Sequence, residues 1–343
     1  MAGKKKSAYA SAGVDIDTMD KALAGAKRNI KSTMTPQVVS DIGSFGGLHE
    51  SPGHGNLLVT SIDGVGTKLK VATMAGRHDT VGQDLVNHCV NDILVQGARP
   101  LMFLDYVGTS KLDPKMFVDI VKGLAKACRE NGCALISGET AEMPGIYPRG
   151  EYDLVGAIIG TVPRKDVVTG EDIRVGDVII GLPSTGLQTN GYSLARKIIF
   201  DRAKLNVDDL VPGTKQTVSR ALLAVHGSYL KPVGALMDVV KVRGMAHITG
   251  GGIVDNIPRV LPQDCSARIE RKSWKVPELF SFMQAAGKVD ADEMFRVFNM
   301  GIGYAVIVRS QDLDRALDVL KQAKARPKVI GEIVEGDRRV VLD

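Results

Sequence analysis

The feature that most constrains the fold of this chain is a hydrophobic segment that ends on a carboxylate. Apolar residues at 57–59 and 62 predict a buried strand, and residues 61–70 continue it as SIDGVGTKLK. Asp63 would lie rigidly at the strand end, while Gly64 and Gly66 would let backbone amides approach an anion closely. Lys68 would add a positive charge, so the run is typical of a phosphate site, although its spacing is not that of a Walker A loop. A strand followed by a tight turn and an exposed lysine is an equally compatible interpretation.

Four further runs of similar character follow in order. They are VNDILVQGARP at 90–100, SGETAEMPG at 137–145, LPSTGLQTNGYSLAR at 182–196 and AHITGGG at 246–252. Together with DGVGTK, these runs closely resemble the phosphoribosylformylglycinamidine cyclo-ligase family, also called the aminoimidazole ribonucleotide synthetases. The resemblance extends from YASAGVDID at 9–17 to FNMGIGYAVIV at 298–308. Five ordered motifs are more specific than any one of them.

The resemblance implies both a fold and an activity. The fold is mixed α/β with two domains, and the sheet of the N-terminal domain completes a barrel across a homodimer. The activity is the ATP-dependent cyclisation of formylglycinamidine ribonucleotide to aminoimidazole ribonucleotide, with release of ADP and phosphate, in purine biosynthesis. By this resemblance ATP phosphorylates the formyl amide oxygen, and Mg²⁺ accompanies the ATP.

Strand-like and helix-like runs alternate along the chain, which predicts an α/β organisation. A chain of 343 residues is long enough for two domains. A polar stretch at 168–176 (VTGEDIRVG) predicts the boundary between them. We expect residues 1–170 to form an ATP-binding and dimerisation domain and residues 171–343 to form an α/β domain that completes the active-site cleft.

Composition argues against several classes of protein. A charge of +5 from 44 Lys+Arg against 39 Asp+Glu is mild, and no basic-aromatic array predicts nucleic-acid binding. The four cysteines lack zinc-site spacing, which favours free thiols in a reducing compartment. No apolar stretch approaches the length of about 20 residues that a membrane span requires. We therefore expect a cytoplasmic enzyme with small-molecule substrates and no nucleic-acid or membrane partner.

Three carboxylates, Asp63, Asp92 and Glu139, are candidate magnesium ligands, because each ends an element beside small residues and Mg²⁺ prefers oxygen donors. By resemblance to the wider superfamily, they match its metal-bearing acids. A helix cap or turn would explain Asp92 or Glu139 singly. Glu142 is a weaker candidate, and Asp84 is explained equally well as a solvated helix residue. The helix predicted after residue 77 has one polar side, which carries Asp84, Asn87, His88, Asn91 and Asp92.

A second glycine-rich run, DIGSFGGL at 41–48, would form a mobile lid over the nucleotide. A disordered surface loop is the alternative. The candidate ATP contacts are Gly46, Gly47, Gly64, Gly66, Thr67, Lys68 and Asp92.

The runs in the second half supply candidate substrate contacts. A strand-to-helix loop with Ser184, Thr189, Asn190 and Gly191 would hold the ribose phosphate at a helix N-terminus, although helix capping explains Asn190 equally well. Three glycines after Thr249 are a costly way to build an ordinary turn, which makes Thr249, Gly250 and Gly251 further candidates. His247 would contact substrate or transfer a proton, although a lone histidine is more often structural. The candidate catalytic residues are His247, Lys68 and Asp63.

Two other functions are compatible with these residues. Another enzyme of the same superfamily would phosphorylate a different oxygen or a selenium nucleophile. A non-catalytic nucleotide-binding or scaffold protein would keep the fold without the reaction. The presence of three candidate metal acids together with Lys68 disfavours the second.

Overall fold

The computed structural model describes residues 7–11, 35–40, 45, 47–51 and 55–343. The first half contains a five-stranded sheet in the order β1-β2-β5-β3-β4, in which only β3 and β4 are parallel neighbours. Its strands are β1 (Gly47–Glu50), β2 (Asn56–Gly64), β3 (Arg99–Thr109), β4 (Ala134–Glu142) and β5 (Tyr152–Pro163). The helices of this half are α1 (Ala8–Ser11), α2 (Lys68–Ala75), α3 (Val81–Leu94) and α4 (Pro114–Asn131).

The second half contains a six-stranded sheet in the order β11-β8-β10-β6-β9-β7. Its strands are β6 (Val178–Pro183), β7 (Gly244–His247), β8 (Cys265–Ile269), β9 (Ile302–Val308), β10 (Lys328–Glu335) and β11 (Val340–Leu342). The helices are α5 (Tyr192–Arg196), α6 (Val218–Leu222), α7 (Leu230–Met237), α8 (Gly252–Asn256), α9 (Glu278–Gly287), α10 (Ala291–Val297) and α11 (Leu313–Gln322). Helix α5 continues as a π-helix, Lys197–Arg202, and short 3-10 turns lie at Arg164–Asp166, Ile257–Val260, Arg271–Ser273 and Ser310–Asp312. The mixed α/β organisation that the sequence predicts is confirmed.

Local signals define α4 at both ends. Asp113 accepts hydrogen bonds from the backbone N–H groups of Lys115 and Met116, and Pro114 occupies the first turn. Gly132 ends the helix in the left-handed region, at φ 72°. These residues set both ends of α4.

Helix α3 is the central element of the molecule, because all 14 of its residues are buried. Its apolar side packs on β2 and β5, and its polar side meets the loop before α7 in the second half. Asp84 on this polar side is fully buried, so its interpretation as a solvated residue is wrong. The polar side faces the other half of the chain, and the two sheets are joined through it.

The first sheet ends at Pro163 and the second begins at Val178, and the predicted domain boundary at about residue 170 lies in that interval. In the predicted lid, Gly47 belongs to β1 and pairs with Thr60, whereas residues 41–44 and Gly46 lie outside the described residues. In the part of the chain that the structure describes, no helix is both long and apolar enough to cross a membrane.

Candidate active site

Three of the six histidines of the chain meet where the two halves join. His88 comes from α3, His226 from the loop before α7, and His247 from the last position of β7. Their ring centroids lie 5.0–5.2 Å apart, and all three side chains are buried. We call this group the histidine cluster.

One hydroxyl and one contact between rings connect the three histidines. Thr189 Oγ1 lies 2.7 Å from His88 Nδ1 and 3.2 Å from His226 Nδ1. His226 Nε2 in turn lies 3.0 Å from His247 Nε2. Thr189 is one of the predicted substrate contacts, and in the structure it links the first half of the chain to the second.

A carboxylate stands at each end of the histidine cluster. Asp63 Oδ2 lies 2.8 Å from His88 Nε2, and Asp92 Oδ1 lies 2.8 Å from His247 Nδ1. Asp92 Oδ2 is also 3.8 Å from His88 Nε2, because positions four apart on a helix share a face. The hydroxyl of Ser61 on β2 donates to Asp92 Oδ2 at 3.2 Å. The structure thus brings three predicted site residues, Asp63, Asp92 and His247, to one point.

The positive charge of the histidine cluster belongs to His88. Burial alone would lower the pKa of His88, but the neighbouring carboxylates of Asp63 and Asp92 raise it to about 9. Burial opposes ionisation of Asp63, yet the charge of His88 and its hydrogen bond lower the pKa of that carboxyl. Burial lowers the pKa of His247 despite its bond to Asp92. The pKa of His226 falls well below its usual value, because burial and then the charges of His247 and His88 disfavour a second cation.

Lys68, predicted to offset phosphate charge, is fully buried. Its Nζ lies 2.8 Å from Asp84 Oδ2 and donates to the carbonyl oxygens of Gln188 (3.1 Å) and Ala224 (2.7 Å). All three donors of the ammonium group are therefore engaged. Burial lowers the pKa of Lys68 and raises that of Asp84, while their contact opposes both shifts. In this conformation Lys68 connects α2 and α3 to loops of the second half.

Glu139 lies apart from the other predicted metal ligands. The C-terminal ends of β2 and β4 lie at the same end of the sheet. The strand order nevertheless places the two strands three positions apart, which is about 14 Å at the usual strand spacing. The residue of β4 level with Asp63 is Gly138, so Glu139 points to the opposite face of the sheet. A position at a strand end does not specify which face of the sheet a side chain points to. For this reason the pattern of strand ends predicts Glu139 to lie with Asp63 and Asp92. Glu142, the weaker candidate, accepts a hydrogen bond from the backbone N–H of Leu112 at 2.7 Å.

The predicted ATP-binding turn lies beside the histidine cluster. Asp63 Oδ1 accepts from the backbone N–H of Gly64 at 2.6 Å, and Gly66 adopts φ 68°, in the left-handed region. Thr67 Oγ1 lies 3.2 Å from Ser193 Oγ on α5. The turn therefore contacts the helix that follows the predicted substrate loop.

The two predicted substrate runs are neighbours in the structure. A Cβ added at Gly250 would lie 3.3 Å from Asn190 Oδ1. Gly191, and not Asn190, is the N-cap of α5, and in the described part of the chain the Asn190 side chain donates through Nδ2 to Thr189 Oγ1 at 3.4 Å, so the capping interpretation of Asn190 is wrong. A Cβ at Gly191 would meet the ring of Phe298 at 2.5 Å, which shows that packing alone requires this glycine. Ser184 at the start of the loop donates to Asn299 Oδ1 at 3.0 Å.

The glycine-rich turn after Thr249 is also held by packing. Thr249 Oγ1 donates to Asn256 Oδ1 at 3.3 Å, and Asn256 Nδ2 donates to the carbonyl oxygens of Gly250 (3.1 Å) and Gly252 (2.8 Å). Gly251 adopts φ 94° and Gly252 adopts φ 58°. These positive φ angles give a structural reason for the glycines that holds whether or not a ligand binds.

Sequence reasoning missed His226 and did not select His88 as a site residue. His226 follows no motif that signals chemistry, so local sequence gave no means of finding it. A signal existed for His88, because α3 contains no Lys, Arg or Glu on any face. A helix whose polar residues are mainly amides, histidine and aspartate is typical of a buried polar interface.

Two family models cover most of the chain. The model described as "AIR synthase related protein, N-terminal domain" matches residues 44–162, and the corresponding C-terminal domain matches residues 174–343. Two relatives carry the name phosphoribosylformylglycinamidine cyclo-ligase. The protein of Alkaliphilus oremlandii (strain OhILAs) is 46% identical over 98% of this chain and 100% of its own length. The protein of Thermoanaerobacter sp. (strain X514) is 48% identical over 97% of this chain and 99% of its own length.

Solved structures with the same fold are more distant in sequence. Thiamine-monophosphate kinase from Stenotrophomonas maltophilia K279a has a TM-score of 0.64 at 16% identity, covering 94% of this chain and 96% of its own. The hydrogenase maturation protein HypE in complex with ATP has a TM-score of 0.63 at 18% identity, covering 92% and 91%. At these identities the likeness concerns the fold alone. The two matched domains and the nearly full-length relatives show that this chain belongs to the AIR synthase related protein family.

Proposed function

We propose that this chain is an ATP-dependent cyclo-ligase that converts formylglycinamidine ribonucleotide to aminoimidazole ribonucleotide, ADP and phosphate. The name of the nearly full-length relatives supplies the reaction. The observation that carries the proposal is the meeting of both halves at one site. Asp63 and Asp92 arrive there from the first half, and Thr189 and His247 arrive from the second.

Asp63 and Asp92 fit a magnesium ion shared with ATP. Their carboxylates converge on His88 and raise its pKa to about 9, and this preference for positive charge supports the assignment. Carboxylate oxygens are the donors that Mg²⁺ prefers. A magnesium ion bound with ATP would neutralise phosphate charge during transfer. Glu139 is left out of this ligand set, because it points to the other face of the sheet.

The chemical problem is that an amide oxygen is a poor leaving group. Transfer of the γ-phosphoryl group to the formyl oxygen makes an imino-phosphate. The amidine nitrogen then attacks that carbon, and phosphate leaves as the ring closes. The work of the protein is to hold the formyl oxygen in line with the γ-phosphorus, so catalysis comes mainly from positioning and electrostatics.

His247 suits a positioning role in this mechanism. It is fully buried, and both ring nitrogens have partners, Asp92 at 2.8 Å and His226 at 3.0 Å. It would fix the orientation of the Asp92 carboxylate without touching the substrate. The side chain of Asp63, which is 39% exposed, would meet the ligand from the open side.

A second copy of this chain would complete the N-terminal domain. The sheet face opposite α3 and α4 exposes apolar side chains, among them Ile62, which is 69% exposed. A barrel built from two such sheets would bury this face and the edge of β4. Because the four cysteines are free thiols, we place this homodimer in the reducing cytoplasm.

The fate of the formyl oxygen tests the proposed reaction. Substrate with oxygen-18 in the formyl group should give inorganic phosphate that carries the label, since the oxygen that attacks phosphorus leaves with it. Mass spectrometry of the phosphate reads the result. Label recovered in water alone would contradict phosphorylation of the formyl oxygen.

The turnover rate of the same reaction tests the two carboxylates. Asp63→Asn and Asp92→Asn should each lower kcat about 1,000-fold, because each removes a charge that holds the cation of the transferring phosphoryl group. Asp318→Asn, which changes an exposed carboxylate of α11, is the matched control and should keep the wild-type rate. Wild-type turnover in both site variants would contradict the magnesium assignment.

A further inference from the structure

Nitrogen donors accompany the carboxylates at the junction of the two halves. Among the described residues, His88, Asp92 and His247 each offer a ligand atom, and these atoms lie within 4.8 Å of one another. A fourth donor, Asp63 Oδ2, lies 2.8 Å from His88 Nε2. Neighbouring ligand atoms of a tetrahedral zinc site lie about 3.4 Å apart, because its bonds are about 2.0–2.1 Å long. The measured separations lie on both sides of that value, so side-chain rotation would bring His88, Asp92 and His247 onto one ion. Asp63, which is outside this mutually close group, would have to turn from His88 to close the fourth position.

Both histidine rings are held from behind. His88 Nδ1 has Thr189 Oγ1 at 2.7 Å, and His247 Nε2 has His226 Nε2 at 3.0 Å. These contacts turn His88 Nε2 and His247 Nδ1 toward Asp92. A metal-binding histidine characteristically has its far nitrogen bonded to a fixed partner, which sets its tautomer and orientation.

A cation can reach this point from one side. The side chains of His88 and His247 are 4% and 0% exposed, whereas that of Asp63 is 39% exposed. Asp63 therefore stands at the entrance and the other three donors lie inside. A buried interior strengthens the attraction between a cation and these ligands.

We propose that His88, Asp92 and His247, closed by Asp63, form a binding site for a divalent transition-metal cation of the zinc and cobalt class. Imidazole nitrogen suits such ions, whereas Mg²⁺ prefers an all-oxygen set. The site shares two carboxylates with the magnesium position proposed above, so only one of the two ions binds at a time, and without ATP the nitrogen ligands favour the transition-metal cation over Mg²⁺. It does not depend on the proposed reaction, because it is defined by the protein ligands alone.

The full-length chain, stripped of metal with a chelator, is titrated with Co²⁺ at about pH 8 in the absence of ATP and substrate. Binding must displace the proton of His88, whose pKa is about 9, and this displacement is easier at pH 8 than at neutral pH. We expect one Co²⁺ per chain, with visible absorption bands of nitrogen and oxygen ligation. Equimolar Zn²⁺ should abolish the bands, and millimolar Mg²⁺ should leave them. Absence of a bound, absorbing Co²⁺ in the wild-type chain would overturn the proposal.

Variants assign the ligands. His88→Gln and His247→Gln should each weaken Co²⁺ binding at least 100-fold. His78→Gln is the matched control, because His78 contacts Tyr152 OH outside the histidine cluster, and it should bind normally. Thr189→Val keeps all four ligands and should weaken binding about 10- to 100-fold by releasing the His88 ring.

Unchanged Co²⁺ affinity in both glutamine variants, with native circular dichroism, would refute the site. If the glutamine variants do not fold, Thr189→Val decides, and wild-type affinity in that variant would refute it instead. Turnover plays no part in these measurements. Failure of the metal site therefore leaves the oxygen-18 result standing, and failure of the reaction leaves the cobalt result standing.

Discussion

Strands β7 and β4 each form one edge of their sheet, yet their surroundings are opposite. All four residues of β7 are buried, whereas β4 exposes seven of its nine. The chain itself covers β7, where His247 meets His88 and Asp92, and Ile173 packs against Gly244. On β4, Ile136 is 55% exposed. The closed edge therefore carries the site, and the open edge is available to a partner.

The two edges use polar and apolar residues in different ways. At the closed edge, polar side chains are buried and each is tied to another, which fixes one geometry at the junction of the two halves. At the open edge, apolar side chains face solvent, a state that proteins rarely leave without a partner. The β7 edge forms a specific polar contact within the chain, whereas the β4 edge has the exposed apolar surface of a contact between chains.

The largest expected effect is a loss of stability at the buried polar junction of the two halves, to which the closed edge belongs. Lys68→Met should lower the free energy of unfolding by about 4 kcal/mol, because it leaves the buried Asp84 carboxylate without its countercharge, held only by the backbone N–H of His226 at 2.7 Å. The double variant Lys68→Met/Asp84→Leu should recover most of that loss, since it removes both buried charges. Urea denaturation of the single and double variants measures the difference. Equal instability in both would show that packing, and not charge, determines the effect.

The second effect is a pH dependence that also originates on the closed side. The pKa of His88 rises from 6.5 when unfolded to about 9 when folded, so its stabilisation is complete below pH 6.5 and is lost as the pH rises through about 9. The free energy of unfolding should fall by on the order of 3 kcal/mol across this range. Urea denaturation of chelator-treated protein at about pH 6.5 and pH 9.5 measures this loss.

The matched variant for this test is His88→Gln, which should show a smaller loss of stability over the same pH range. On the acid side the sign reverses, because burial lowers the pKa values of His226 and His247. Both rings are protonated more readily in the unfolded chain, so stability should also fall as the pH drops below about 6.5. A pH profile identical in wild type and His88→Gln would contradict the assignment of the charge to His88.

The third effect tests the exposed apolar face of the first sheet, which the open edge borders. Ile62→Asp should weaken the expected homodimer by about 2 kcal/mol or more, because association would bury a carboxylate without a partner. Light scattering over a dilution series measures the dissociation constant. Val175→Asp is the matched control, since Val175 is 58% exposed but lies in the second half, away from this face. A wild-type chain that is monomeric and fully active would remove the distinction between the two edges.

Elements with local signals could be predicted from the sequence. The Asp113 cap, Pro114 and the Gly132 stop define α4, and the apolar run before Asp63 defines β2. The proximity of Asp63, Asp92 and His247 also agrees with the motifs that nominated them. These features depend on neighbours in sequence or on runs that carry their own chemistry.

Features that depend on packing between the halves could not be predicted. Nothing near His226 in sequence announces that its ring would lie between His88 and His247. The engagement of Lys68 by two carbonyl groups of the second half is equally remote in sequence. The face on which Glu139 lies follows from strand register, which a pattern of strand ends does not contain.

The complete burial of α3 has a consequence for how the molecule opens. Its backbone amides lie between a sheet of the first half and loops of the second, so solvent reaches them only when the halves separate. In heavy water, these amides should be among the last to exchange their hydrogens, at a rate set by global unfolding. A chain assembled around such a helix has no small motion that exposes its centre, and its two halves should melt together.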